Sequence, residues 1–129
     1  MNIKGFSWVG IRTDDIEKTI HFLHDVLGLP LTRRSDEHRF AAVGFPSGQE
    51  LEVFWQGSQF YDLHTHPVIA FDVDDIRAIR QELEAQGIEF LTDIFHATLG
   101  SMGEESAWCY FRDPNGYIYE LYQQPDHMT

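Results

Sequence analysis

The sequence holds one cysteine, Cys109, which excludes an internal disulfide framework and suits a reducing, cytoplasmic compartment. Basic residues are scarce, 9 Lys and Arg against 21 Asp and Glu. The resulting formal net charge of −12 argues against nucleic acid as a partner, because phosphate binding needs a basic face. No apolar run approaches the roughly 18 residues of a membrane span, and "MNIKGFSW" lacks a basic stretch followed by an apolar one, so neither a membrane nor a secretory signal is expected. What is abundant is apolar: 43% of residues are hydrophobic and 14% aromatic, enough for one globular domain with a substantial core.

The chain repeats itself. "WVGIRTDDI" (8–16) returns as "VIAFDVDDI" (68–76), and "DDIEKTIHFLHDVLGLPLT" (14–32) as "DDIRAIRQELEAQGIEFLT" (74–92). Each copy predicts a short apolar strand, then a helix that opens on an N-cap aspartate and stops at Gly28 or Gly87. Ile16, Ile20, Leu23 and Leu27, and again Ile76, Ile79 and Leu83, recur at helical spacing. After each glycine an apolar stretch ending in Leu-Thr reads as a strand. "FPSGQELEVFW" (45–55) matches "DPNGYIYELYQ" (113–123), a Pro-Xaa-Gly turn entering a strand. Each half is therefore strand, helix, strand, strand, turn, strand. Module 1 covers about residues 5–56 and module 2 about 67–123 of one domain, joined by "GSQFYDLHTHP" with one short helical turn. "HATLGSMGEES" (96–106) reads as a long surface loop and a candidate lid.

Alternation along the strands separates two faces. Val9, Ile11, Leu51, Val53 and Trp55 share one face in module 1, as do Ile69, Phe71, Val73, Tyr117, Tyr119 and Leu121 in module 2. These should pack on the helices. The opposite faces carry Trp8, Gly10, Arg12, Glu50, Glu52 and Phe54, and Val68, Ala70, Asp72, Ile118, Glu120 and Tyr122. Glu52 and Glu120 stand at equivalent points of the repeat, and the expectation is that the two mixed faces close around a shared cleft.

This layout, with "FRDPNGYIYELYQ" (111–123) as its most specific piece and "GLPLT" after the first helix, resembles the vicinal oxygen chelate superfamily of glyoxalases, bleomycin resistance proteins and extradiol dioxygenases over about residues 5–123. The resemblance implies an α+β fold of paired βαβββ modules, curved mixed sheets around a cleft with helices on the outer face. It also implies a divalent metal held by a histidine on the first strand and a glutamate on the last strand of each module. The glutamates match Glu52 and Glu120, but the histidine positions hold Trp8 and Val68, which cannot ligate a metal. His66 lies about 6.6 Å along a strand from Val68, too far for a simple replacement. A non-standard site would draw on Glu52, Glu120, His66 and His96; His21, His24, His38, His64 and His127 lie on helix, turn, connector or tail.

Three readings follow. One is a metal-dependent lyase, isomerase or dioxygenase using zinc, nickel, manganese or iron. The second is a metal-free binding protein whose Trp8, Arg12, Phe54, Val68 and Tyr122 line the cleft for a planar, cationic small molecule. The third is a metal-free enzyme with Glu52 or Glu120 as a general acid or base, Arg12 holding an anion or pairing with a glutamate. The reading adopted is a small-molecule-binding member without the usual metal site and without another cofactor, forming a homodimer to cover an exposed sheet edge.

Overall fold

The computed structural model describes residues 1–99 and 104–124. Eight strands appear in chain order: β1 (Ile3–Thr13), β2 (Leu31–Ser35), β3 (Phe40–Gly44), β4 (Glu50–Trp55), β5 (Val68–Val73), β6 (Phe95–Leu99), β7 (Glu104–Arg112) and β8 (Ile118–Gln123). Helix α1 (Ile16–Ile20) follows β1, and α2 (Ile76–Ala85) follows β5. The chain divides into two compact units, Ser7–Ile69 and a second built from Ala70 onward together with Met1–Phe6. The α+β reading and the βαβββ order of each half hold.

In the unit of residues 7–69, the strands run β2-β3-β4-β1. β1 and β4 are parallel, while β3 is antiparallel to both β2 and β4. Parallel pairing needs a crossover, and α1 begins it. The helix starts where Asp15, in extended conformation, accepts a hydrogen bond from the Lys18 amide at 3.1 Å. Leu23, Val43 and Val53 are buried together, with Ile11, Ile16, Leu29 and Leu51 packed on them. The apolar face thus meets the helix, as alternation predicts. Two expectations change here. The first helix is not uniformly α: His21–Val26 is π-helical, and Leu27 ends up 53% exposed instead of joining the apolar stripe. The residues just after Gly28 are not yet strand either, since β2 begins at Leu31.

The second unit repeats the plan in the order β5-β8-β7-β6, with β5 parallel to β8 and β7 antiparallel to both β6 and β8. Asp75 caps α2 through the Ala78 amide at 3.1 Å, and Gly87 follows the helix at φ 87°, in the left-handed region open to glycine. Val73, Ile76, Ile79, Cys109 and Leu121 are buried in its core. The apolar 88–92 stretch is not a strand beyond one isolated bridge from Phe90 to Phe111; β6 starts at Phe95. The loop expected over 96–106 is largely an antiparallel pair, with residues 96–99 in β6 and β7 beginning at Glu104. Phe95 and Trp108, both strand formers, stand opposite each other where the pair begins. Residues 100–103 and the tail with His127 lie outside the described residues. Among the described residues, no helix is long and apolar enough to cross a membrane.

Of the paired aspartates 74 and 75, the second caps the helix while the first meets Lys4 at 2.8 Å in a solvent-exposed ion pair. Asp75→Ala should therefore lower the unfolding free energy by about 1 kcal/mol, and Asp74→Ala should leave the urea midpoint almost unchanged. Equal losses for the two variants would refute the capping assignment.

Candidate functional site

The strand registers align a row across the first sheet. Arg33 on β2 lies opposite Ala42 on β3, Ala42 opposite Glu52 on β4, and Glu52 opposite Gly10 on β1. Glu52 is 7% exposed. A carboxylate so placed needs a partner, and Arg33 is that partner. Its Nη2 donates to Glu52 Oε2 at 2.6 Å and to Glu50 Oε1 at 2.8 Å. Thr32 adds a hydroxyl bond to Glu50 Oε2 at 2.7 Å. The guanidinium also lies 5.4 Å from the centre of the Phe40 ring.

Burial pushes the Glu52 carboxyl up, Arg33 pulls it back down, and the result is a pKa of about 7. Burial works against the charge on Arg33, but Glu52 and Glu50 more than offset it, so that pKa is raised and the side chain stays cationic.

On the other side of Glu52, His64 is buried above Gly10. Its Nδ1–H donates to the Phe60 carbonyl at 2.8 Å, and its ring stacks on Phe54 with centroids 4.4 Å apart. A Cβ at position 10 would stand 2.5 Å from His64 Nε2, so only glycine leaves room for this imidazole. Burial lowers its pKa to about 4, and the ring is neutral at neutral pH.

The other sequence-predicted residues separate by exposure. Arg12 is exposed, with its guanidinium 4.5 Å from the Tyr61 ring centre, and Trp8 is half-buried beside Glu50. Phe54, Val68 and Tyr122 are buried, at 5%, 0% and 6% exposure. In the second unit Glu120, 2% exposed, sits between Ala70 on β5 and Tyr110 on β7. His66 precedes β5, with Nδ1 donating to the Pro67 carbonyl at 2.9 Å, and His96 is exposed on β6. Among the described residues, no three His, Cys, Asp or Glu side chains gather where they would hold a metal. Sequence reasoning missed Arg33 and set His64 aside in the connector. No local signal marked Arg33, because its place in the row with Glu52 is set by the register of β2 on β3, which is irregular between Leu31 and Arg33.

A model of the Glyoxalase/Bleomycin resistance protein/Dioxygenase superfamily matches residues 5–121. A Vibrio parahaemolyticus protein named "Probable lactoylglutathione lyase" is 30% identical over 122 residues, covering 88% of this chain and 86% of that protein. "Lactoylglutathione lyase" of Haemophilus influenzae is 28% identical over 120 residues, covering 86% of each. The crystal structure of methylmalonyl-CoA epimerase from Mycobacterium tuberculosis superposes with a TM-score of 0.70 at 21% identity, covering 96% of this chain and 90% of that one, a likeness of fold.

Glu52 and His64 should give opposite pH dependences of stability. The folded-state pKa of Glu52 lies above the ordinary 4.5, so its contribution is full below pH 4.5 and is lost as pH rises through 7. The span of 7 − 4.5 = 2.5 pH units amounts to about 3 kcal/mol at most. His64 lies below its ordinary 6.5, so its contribution is full above pH 6.5 and is lost as pH falls through 4. The slopes oppose each other between pH 4.5 and 6.5. Urea unfolding of Glu52→Gln should show stability rising with pH across that window more steeply than in the wild type. Parallel profiles would mean that Glu52 titrates as an ordinary carboxyl.

Proposed function

The chain belongs to the Glyoxalase/Bleomycin resistance protein/Dioxygenase superfamily, and from that premise we propose that it is a small-molecule-binding member working without the divalent metal that the vicinal oxygen chelate layout implies. The carrying observation is the donor set. The two positions that should offer imidazoles hold an indole, Trp8, and an aliphatic chain, Val68, neither of which has a lone pair to give a metal. The glutamate of the first module is already hydrogen-bonded to a cation, Arg33. These residues do not fit the metal.

The ligand surface on this reading is the face of the first sheet around Trp8, Arg12 and Glu50, with Glu52 beneath it. Trp8 supplies a half-buried aromatic wall and Arg12 an exposed charge. Phe54, stacked against His64, supports the face from below. Glu52, with a pKa of about 7, can give or take a proton near neutrality, so it is the residue for an acid–base step if the bound molecule reacts. In the equivalent row of the second module Glu120 lies between Ala70 and Tyr110, and Val68 and Tyr122 are buried. The same reading keeps the protein in the cytoplasm, with Cys109 a buried, unreactive thiol whose pKa burial raises to about 11. It also keeps the homodimer.

The names of the relatives favour a second reading, a metal-dependent lyase, isomerase or dioxygenase in which Glu52 and Glu120 act with a non-standard histidine, His66 or His96. Elemental analysis separates the two. Protein purified without chelator should carry well under one zinc, nickel, manganese or iron per chain. A full equivalent, lost on Glu120→Gln, together with turnover of lactoylglutathione, would establish the second reading. On the first, Trp8→Ala should weaken whatever ligand a metabolite screen finds by about 1–3 kcal/mol, and an unchanged affinity would remove this face from the binding site.

A further inference from the structure

We propose that Arg33 is the fixed cation of this site, standing on Glu52 where the family layout would put a metal, and that its remaining N–H groups hold a carboxylate or other oxyanion of the bound molecule. The inference deepens the metal-free reading and rests on it.

The geometry leaves Arg33 half-used. A guanidinium has five N–H donors, and both carboxylate bonds come from Nη2, one to Glu50 and one to Glu52. The three on Nε and Nη1 are engaged by no protein group among the described residues. The Arg33 side chain is also partly open to solvent, 37% exposed against 9% for that of Glu52. The arginine is anchored from below and open above.

The row in which it stands explains how it gets there. Ala42 lies between Arg33 and Glu52 on the sheet, and a methyl group leaves the guanidinium room to reach across β3. On the far side Gly10, opposite Glu52, cedes its space to the ring of His64. The Phe40 ring beneath the guanidinium fixes its plane.

The arrangement selects against a cationic ligand, despite the acidic chain. A cation would have to take Glu50 or Glu52 from Arg33 and strand the guanidinium. An oxyanion adds charge-assisted hydrogen bonds at the open donors and displaces nothing.

The test is an NMR titration in EDTA with benzoate, its neutral counterpart benzamide, and phenylphosphonate, against three proteins. These are the wild type, Arg33→Lys, and the double variant Arg33→Met/Glu52→Gln, which removes the cation and the buried Glu52 carboxylate together and leaves Glu50 its hydrogen bond from Thr32. Thermal melts confirm that each is folded. Benzoate or phenylphosphonate should shift amides of 31–35, 40–44 and 50–55, with benzamide bound at least about tenfold more weakly. The double variant should lose about tenfold or more of the anion affinity, and Arg33→Lys, with three donors in place of five, should fall between the two. Equal binding of benzamide, an unchanged double variant, or no shifts from either anion would overturn the Arg33 assignment while leaving a metal-free site standing. Binding that appears only when zinc or nickel is added in place of EDTA would instead overturn the metal-free reading.

Discussion

A carboxyl group held inside a sheet governs the first module. Burying an ionised carboxylate costs several kcal/mol unless it is paired, and the sequence around Glu52 answers that cost on both sides. Arg33 reaches it across Ala42, and His64 seals the space that Gly10 leaves open. Neither neighbour could be enlarged without disturbing the other: a side chain at position 10 would collide with the imidazole, and a bulky one at position 42 would stand in the path of the guanidinium. The row Arg33–Ala42–Glu52–Gly10 is therefore a single electrostatic unit drawn from four strands.

The two modules answer the same demand differently. Position for position, Gly10 corresponds to Ala70, Ala42 to Tyr110 and Glu52 to Glu120. An aromatic ring in the second module takes the place of the small residue over which Arg33 reaches in the first. The strand order is repeated, but the side chains at the matching strand positions are not.

What was legible in the sequence depended on short-range periodicity. Alternation assigned Leu51, Val53, Phe71 and Leu121 to the faces that meet the helices, because the face of a strand residue is fixed by parity alone. The caps were visible because Asp15 and Asp75 act on amides three residues away. Arg33 and Glu52 are 19 residues apart, and their contact depends on the register of β2 with β3 and of β3 with β4, which no local pattern reveals. His64 escaped for a related reason. Its burial follows from the absence of a side chain at Gly10, 54 positions earlier, which in the sequence reads only as an ordinary strand glycine.

The first residues of β1 belong to the same compact unit as residues 70 onward, tied there by Lys4 to Asp74 and by the amino terminus to Glu82. The repeat visible in the sequence and the compact units of the fold thus differ in where the first six residues belong. Cutting the polypeptide within residues 57–67 would yield two fragments that each look like a complete module, yet the opening segment of the larger unit would remain on the wrong piece. A fragment carrying only the second half would lack the contacts that Lys4 and the amino terminus make to Asp74 and Glu82.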